Sequence, residues 1–377
     1  MPARRERLPH QKISLKFLAD HLQLSPATIS LVMNRSTVAD SIPQETKDRI
    51  FAAAREFNYR PSFVARSLRT QRSFTVGVMV PEVSEGYGTL LLSGIEDYLL
   101  QEGYFYFVVS HRHKPDLIDE YPRLLLERCI DGLIAVDTPS PLAELSMPVV
   151  KVSGNDVNRG KAVTHIVLDH RRAAHLALDH LASLGHRRIA VIKGQDFSSD
   201  TEIRWNAIQE AAREHGLKIP SQNVGQLVGD SASPELGYEV TKKIFAKGAA
   251  FTALFAFNDV SAIGAIQAIK EKGLRVPEDI SVIGFDDIQS AAFQSPGLTT
   301  IRQPLRKMGL VAAETLLRRI AGTGKDIPRV IRVEPQLVVR GLRRKKLAVN
   351  SAALYEKNSR RFSTSPLQGS PLFPCQP

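Results

Sequence analysis

Residues 14 to 34, SLKFLADHLQLSPATISLVMN, carry the pattern of two short helices joined by a tight turn. In the first half, apolar side chains recur at helical spacing: Leu15, Leu18, Ala19 and Leu22. Ser25 is a good N-cap, and Pro26 suits the first helical position, where a missing N–H costs nothing. We expect the second helix to bury Ile29, Val32 and Met33. Such a pair forms a helix-turn-helix that places its second helix in the DNA major groove, although an ordinary small bundle would share the pattern.

A third helix and a basic segment follow this pair. Pro43 takes a first-turn position, and apolar residues then recur at spacings of three and four: Ile50, Ala53, Ala54 and Phe57. Residues 58–61, NYRP, end the helix because the residue before a proline avoids the α region. Residues 62–69, SFVARSLR, allow about two helical turns, too short to be stable alone in water. We therefore expect this segment to become helical only on a partner.

The net charge of +11 over 377 residues is unevenly distributed. Residues 1–72 carry 13 Lys and Arg against 6 Asp and Glu, and residues 340–377 carry 8 against 1, whereas residues 73–339 carry 29 against 32. A basic head on a near-neutral body suits a separate nucleic-acid module, because neutralised phosphates supply most of the non-specific affinity. For the tail, solubility is an equally good explanation. Residues 344–377 are also rich in Ser and Pro, so we expect them to be disordered.

The body alternates apolar strands with amphipathic helices. The strand candidates are residues 74–80, 106–110, 132–136, 149–152, 188–193, 253–256 and 281–284, and the helix candidates are 89–102, 173–184, 203–215 and 260–272. This alternation indicates parallel sheets with helices on both faces. About 270 residues leave room for two α/β units. Ligands bind such sheets beyond the carboxyl ends of the strands.

The sequence lacks the motifs that are typical of membrane proteins, secreted proteins, metal-binding proteins and enzymes. No apolar run approaches 18 residues and the N-terminus lacks the apolar core of a signal peptide, so we expect no membrane span. Cys129 and Cys375 give no disulfide framework and fit a reducing cytoplasm. Four histidines recur every five residues: His165, His170, His175 and His180. They would lie about 140° apart on a helix, and no Cys or acidic cluster completes a tetrahedral site, so we expect no metal. No nucleophile–base pair or phosphate loop is evident, so we expect no cofactor and no enzyme.

Five segments of the chain follow one known pattern in order and spacing. They are LADHLQLSPATISLVMN, FNYRPSFVARSL, IAVIKG at 189–194, LFAFNDVSAIGAIQAIKEKGLRVPEDISVIGFDD at 254–287 and LTTIRQP at 298–304. Together they resemble the lac repressor (LacI/GalR) family of bacterial transcription regulators. The resemblance implies an N-terminal all-α helix-turn-helix DNA-binding domain plus an α/β periplasmic-binding-protein-like core of two doubly wound parallel-sheet lobes.

The same resemblance sets the expected domain boundaries. The expected domains are a basic extension (1–12), the DNA-binding domain (13–60), a hinge (61–72), the two-lobed core (73–343) and the tail (344–377). The first lobe would take about 74–164 with a return near 304–331. The second would take about 165–300 with the last strand.

By this resemblance the second helix reads DNA, but its reading positions are unusual. Where family members commonly use arginine, this chain has Leu31, which cannot make bidentate hydrogen bonds to guanine. Leu68 matches the leucine that is inserted between base steps in the minor groove, where it kinks the duplex. Gln23 replaces the usual turn glycine and costs some strain if it is left-handed. The expected DNA-contacting residues are Ser25, Pro26, Ala27, Thr28, Ser30, Leu31, Asn34, Tyr59, Ser62, Ala65, Arg66 and Leu68.

The resemblance also implies that a small molecule binds in the cleft between the lobes. Tyr87, in the loop after the first strand, could stack on a sugar or base face. Arg204 lies near a helix start, where its guanidinium fork could grip hydroxyls or a carboxylate. The expected effector-binding residues are Tyr87, Ser153, Arg204, Asn258, Asp286 and Gln303. We expect Asp259 to cap the following helix and Asp287 to be solvated.

The sequence therefore predicts a cytoplasmic, nucleoid-associated transcriptional regulator, a repressor by default, and not an enzyme. Two heads of a homodimer would bind double-stranded operator DNA with half-sites about one helical turn apart. A sugar-like effector would change the angle between the lobes and the order of the hinge. The tail lacks the leucine heptads of a tetramerising helix, which favours a dimer. The alternative is a sugar-binding protein of the periplasmic type without a regulatory DNA role.

Overall fold

The chain divides into two compact units, one on each α/β sheet. The computed structural model describes residues 13–34, 37–59, 67, 71–84, 86–139, 142, 145–153, 163–324 and 326–341. The first unit runs to Leu168 and adds Phe197–Asp200 and Pro304–Val333, whereas the second takes Asp169–Asp196, Thr201–Gln303 and the residues from Glu334. The boundary after Leu168 lies slightly later than the expected one at 164, because the last strand before it belongs to the first sheet.

Three helices form the head: α1 (Leu15–Leu22), α2 (Pro26–Met33) and α3 (Gln44–Glu56). Ser25 caps α2 as expected, since its side chain accepts a hydrogen bond from the Thr28 N–H. Gln23, in the turn, is left-handed with φ 53°, the strained conformation that its replacement of glycine suggested. The three helices share one apolar core, in which Leu18, Ile29 and Ile50 are fully buried.

Met33 differs from the expectation, because it is only partly buried against this core. It is the last residue of α2, where the helix leaves the contact with its neighbours.

Strands and helices alternate through the body. Up to the middle of the chain they are β1 (Thr75–Val80), α4 (Tyr87–Gln101), β2 (Phe105–Ser110), α5 (Pro115–Glu127), β3 (Gly132–Val136), β4 (Val149–Val152), β5 (Val163–Leu168), α6 (His170–Ser183), β6 (Ile189–Lys193) and α7 (Thr201–Glu214). The others are β7 (Val224–Gln226), α8 (Pro234–Ala246), β8 (Ala253–Phe255), α9 (Asp259–Glu271), β9 (Ser281–Asp286), α10 (Gln289–Ala292), β10 (Thr299–Arg302), α11 (Leu305–Ile320), β11 (Val330–Val333) and β12 (Gln336–Val338). Every strand and helix predicted for the body is present, with small shifts at the ends.

The sheet of the first unit has the order β11-β5-β4-β3-β1-β2, and all its neighbouring strands are parallel. Strands β1, β3 and β4 are buried along their whole length, as expected for a sheet covered on both faces. Helices α4 and α11 pack closely at Gly94, where a Cβ would lie 1.9 Å from the Arg306 carbonyl oxygen.

The sheet of the second unit has the order β12-β10-β9-β8-β6-β7, parallel except where β12 runs antiparallel to β10. Helices α8 and α9 approach through Gly264, where a Cβ would lie 1.8 Å from the Pro234 carbonyl oxygen. The structure thus confirms the expected fold class of a helical head and two parallel-sheet lobes. None of the helices it describes is long and apolar enough to cross a membrane.

Candidate DNA-binding head and effector site

The outer face of α2 carries short polar side chains held in defined positions. The hydroxyl oxygens of Ser25 and Thr28 lie 2.8 Å apart. Asn34 Nδ2 donates to the Ser30 carbonyl oxygen at 2.7 Å and lies 3.2 Å from the Ser30 hydroxyl. These contacts fix the side chains of one helical face without using all of their hydrogen-bonding capacity, since each hydroxyl offers one donor and two lone pairs.

The other expected DNA-contacting residues differ in exposure. Pro26 and Ala27 are exposed, whereas Leu31 and Tyr59 are partly buried against the core of the head. Burial raises the pKa of the Tyr59 hydroxyl, which is therefore a neutral donor near pH 7. Ser62, Ala65, Arg66 and Leu68 lie outside the residues that the structure describes.

Tyr87 and Ser153 meet at the carboxyl edge of the first sheet. Tyr87 is the first residue of α4 rather than part of the preceding loop, which corrects the expected placement, because the helix begins two residues earlier than the sequence suggested. Ser153 directly follows β4, is buried, and has a left-handed backbone with φ 67°. The two hydroxyls form a hydrogen bond, so the structure brings these two predicted residues together.

A buried histidine at the same edge was not anticipated. His111 directly follows β2, and its Nδ1 accepts a hydrogen bond from the His113 N–H at 3.1 Å. Its Nε2 is thereby left to donate to the Thr138 hydroxyl at 3.2 Å. Burial lowers the pKa of His111 to about 4, so this imidazole is neutral near pH 7. The available signal was a polar residue placed immediately after an apolar strand.

Asp137 is a second polar residue at this edge that the sequence did not single out. It follows β3 and accepts hydrogen bonds from the Ser198 hydroxyl at 3.1 Å, from the Ser199 N–H at 3.0 Å and from the Ser199 hydroxyl. Burial and the nearby Asp200 raise the pKa of Asp137. Tyr87, His111 and Asp137 at the edge of the first sheet thus each have a hydrogen-bond partner within the same unit.

Arg204 is the most tightly held of the predicted residues in the second unit. It lies in the first turn of α7 and is 4% exposed. Its Nη1 donates to the Phe257 carbonyl oxygen at 2.5 Å, and its guanidinium carbon lies 4.3 Å and 3.6 Å from the ring centroids of Phe257 and Phe285. Both contacts stabilise a buried cation. Because those phenylalanines precede Asn258 and Asp286, the guanidinium lies next to two other predicted residues.

Asn258, and not Asp259, caps the helix after β8, so the expectation for Asp259 is wrong. Asn258 has the extended backbone of an N-cap, and its Oδ1 accepts a hydrogen bond from the Ser261 N–H at 2.8 Å. The Ser261 hydroxyl accepts in return from the Asn258 N–H, which completes a capping box. The Asn258 amide nitrogen is not used by the cap.

Asp259 instead anchors the neighbouring strands. It is fully buried, and its carboxylate accepts hydrogen bonds from the Thr300 hydroxyl at 2.6 Å and from the Ile288 N–H at 2.9 Å. Burial, followed by repulsion from Asp286, raises the pKa of Asp259 to about 8. The group therefore holds a proton near pH 7.

Asp286 and Gln303 form a buried pair where β9 and β10 end. Gln303 Nε2 donates to Asp286 Oδ1 at 2.6 Å. Gln303 Oε1 is also buried and accepts no hydrogen bond from any residue that the structure describes. Asp286 has a φ of 109°, a strained conformation for a residue with a side chain. Four predicted effector residues thus lie at the carboxyl edge of one sheet: Arg204, Asn258, Asp286 and Gln303.

Asp287 is not solvated, contrary to the expectation. Its side chain is 8% exposed and lies 2.6 Å from Arg302 Nε and 2.6 Å from Arg340 Nη2. Two guanidinium groups reach it because β10 lies beside β9 in the sheet and the chain after β12 returns to the same edge. Asp287 therefore ties the last strands together through two ion pairs.

Two family descriptions match the chain. Residues 15–62 match "Bacterial regulatory proteins, lacI family", and residues 178–341 match "Periplasmic binding protein-like domain". The HTH-type transcriptional repressor PurR of Haemophilus influenzae is 31% identical over 339 residues, which cover 87% of this chain and 97% of that protein. The chain belongs to the lacI family. It is accordingly a DNA-binding transcriptional regulator controlled by a small-molecule effector, and not an enzyme.

Solved structures of lacI-family regulators have the same fold. The lac repressor dimer bound to operator and the anti-inducer ONPF matches with a TM-score of 0.76 at 25% identity, covering 89% of this chain and 100% of that one. A complex of the transcriptional regulator CelR with cellobiose matches with a TM-score of 0.65 at 25% identity, covering 87% and 99%. The lacI head excludes the alternative of a sugar-binding protein without a DNA role.

Proposed function

We propose that this lacI-family protein is a repressor that binds its operator as a homodimer and responds to a sugar or sugar derivative. The relative from Haemophilus influenzae is named a repressor, the lac repressor was solved as a dimer on its operator, and CelR was solved with cellobiose. Operator binding places its activity in the cytoplasm.

The effector proposal rests on Gln303 Oε1, a buried acceptor that receives no hydrogen bond from the described residues. A buried polar atom without a hydrogen bond costs about 1–3 kcal/mol, a cost that a ligand hydroxyl removes by donating to it. The neighbouring Asp286 carboxylate accepts hydrogen bonds, and the fixed Arg204 guanidinium donates them. A molecule that carries several hydroxyls, each both donor and acceptor, matches this set better than an apolar ligand does.

We also propose that Tyr87 of the first lobe contacts the effector. Tyr87 provides an aromatic face beside the Ser153 hydroxyl. Sugars present an apolar face of C–H groups that packs on such rings. We therefore assign recognition of the hydroxyls to the second lobe and packing of the ring to Tyr87.

On the DNA side, α2 reads its operator without an arginine on its outer face. Thr28, Ser30 and Asn34 can form hydrogen bonds with base edges, and Pro26 and Ala27 offer only apolar contacts. Leu31 is half-buried, so it adds little to the surface of α2 that can contact DNA. Sequence preference then depends on thymine methyl contacts and on DNA shape.

Residues 61–72 transmit the response. We expect the hinge to become helical in the minor groove of the operator and Leu68 to kink the duplex there. Leu68→Ala should weaken operator binding more than non-specific binding in titrations at one salt concentration. An equal loss on both DNAs would show that Leu68 is not inserted.

A thermal-shift screen of sugars and nucleobases against the full-length protein tests the effector class. We expect a sugar to raise Tm and the nucleobases to leave it unchanged. Gln303→Met should abolish the shift, whereas Gln267→Met, which replaces an exposed glutamine in the same lobe, should keep it. A shift by nucleobases alone would refute the sugar assignment, and a sugar shift that survives Gln303→Met would refute the site.

A further inference from the structure

Three potential metal ligands converge between α6 and α7 of the second unit. His175 and Asp179 are four residues apart on α6 and so share one face of the helix. His215 follows the end of α7. One ligand atom from each of the three side chains lies within 4.8 Å of the other two. The five-residue histidine spacing did not reveal this group, because His170 and His180 do not contribute to it and His215 comes from the next helix.

The contact between His215 and Asp179 is short but is not a well-aligned hydrogen bond. His215 Nε2 lies 2.5 Å from Asp179 Oδ1. Nevertheless, this nitrogen is buried and makes no hydrogen bond with any residue that the structure describes. The ring of His175 lies 6.1 Å from that of His215, at an interplanar angle of 73°. Two imidazole nitrogens and a carboxylate oxygen therefore lie close together, and the short contact between His215 and Asp179 is not used as a hydrogen bond.

We propose that His175, Asp179 and His215 bind one divalent transition-metal ion of the Zn²⁺ type. Imidazole and carboxylate ligands suit Zn²⁺, whereas Mg²⁺ and Ca²⁺ prefer oxygen alone. With bonds of about 2.0 Å, tetrahedral ligand atoms lie roughly 3.3 Å apart. Asp179 must then withdraw from His215 by less than about 1 Å, which its half-exposed side chain permits.

Glu214 or a water molecule completes the coordination. Glu214 Oε2 lies 3.5 Å from His175 Nε2, so its carboxylate is within reach of the ion. Arg171 competes for it, since its Nη2 lies 3.7 Å from Glu214 Oε1 and 3.0 Å from Glu210 Oε1. The ion would brace α6 against α7, two helices of the same lobe, and is independent of the effector residues at the sheet edge.

Calorimetric titration of the chelator-treated full-length protein with ZnCl₂ tests the proposal. We expect one ion per chain, and a Kd raised at least about tenfold by His215→Gln and by Asp179→Asn. His180→Gln changes a histidine of the same helix outside the cluster and should leave Kd unchanged. Circular dichroism confirms that each variant is folded.

Two further measurements distinguish a specific Zn²⁺ site from weak non-specific binding. Zn²⁺ should raise the Tm of the wild-type chain but not that of His215→Gln. Co²⁺ should give the visible absorption of a tetrahedral complex with the wild type and not with Asp179→Asn. The proposal is overturned if the wild type binds no Zn²⁺ at micromolar concentration. It is overturned equally if His215→Gln and Asp179→Asn bind Zn²⁺ as the wild type does, since the ion would then sit elsewhere, for example at His10 or Cys375.

Discussion

The carboxyl edges of the two sheets are built from different chemistry. In the first lobe, Tyr87 is hydrogen-bonded to Ser153, and the neutral His111 donates to Thr138. In the second, the buried Arg204 guanidinium packs on the ring of Phe285, and the Oε1 atom of Gln303 has no donor among the described residues. Tyr87 and His111 already have hydrogen-bond partners, whereas the buried Gln303 acceptor gains a hydrogen bond only when a polar ligand donates to it. We infer that the second lobe supplies most of the effector-binding free energy.

Arg204→Met should have the largest effect on effector binding. Loss of a hydrogen bond from a charged group costs about 1.5–3 kcal/mol, so we expect the effector Kd to rise by up to roughly 100-fold when the buried guanidinium no longer donates to the ligand. Titration calorimetry with the sugar found by screening measures this effector Kd. Arg275→Met removes an exposed arginine of the same lobe and serves as the matched control. An unchanged Kd for Arg204→Met would move recognition to the first lobe.

The pH dependence of stability should show the next largest effect, through Asp259 of the second lobe. The pKa of Asp259 is about 8 in the fold and about 3.8 ordinarily, so between these values the folded chain holds a proton that the unfolded chain releases. The free energy of unfolding of the second lobe should therefore fall as pH rises from about 4 to about 8 and level off above.

Asp259→Asn tests this directly, because the amide cannot ionise. Urea unfolding across that range should show a flatter pH profile for Asp259→Asn, whereas Asp230→Asn, at an exposed position of the same lobe, should retain the wild-type slope. A slope that persists in Asp259→Asn would show that other groups cause it.

Tyr87→Phe should have the smallest effect. It keeps the aromatic face but removes the hydrogen bond to Ser153, worth about 1 kcal/mol, so we expect the effector Kd to rise about fivefold. Tyr104→Phe, elsewhere in the first lobe, is the control for loss of a hydroxyl. A loss as large as that of Arg204→Met would mean that the two edges contribute equally.

The parts of the molecule that the sequence predicts are those governed by local chemistry. Ser25 and Pro26 specify the start of α2, and the apolar runs of β1, β3 and β4 identify buried strands. Helices α5, α8, α10 and α11 were not among the predicted helices, and α5 contains Pro122, which ordinarily interrupts a helical pattern. Strands β7 and β12 have only three residues each and take their conformation from their neighbours.

Contacts between residues that are distant in the sequence could not be predicted from the sequence. Asn258 and Asp259 are equally good caps by residue type, and the extended backbone of Asn258 decides between them. The partners of Asp259, Asp287 and His175 lie tens of residues away in sequence, at Thr300, at Arg340 and at His215. The six predicted effector residues remain a proposal, although the structure groups four of them at one edge.

Operator binding with and without effector, in the wild type and in Gln303→Met, tests the central proposal most directly. Fluorescence anisotropy on the protein's own upstream DNA at fixed low salt gives all four affinities. We expect the effector to change the operator Kd of the wild type by at least about fivefold, and we expect Gln303→Met to bind operator as tightly as the wild type but without responding. An equal response in both proteins, or no binding to any DNA, would contradict it.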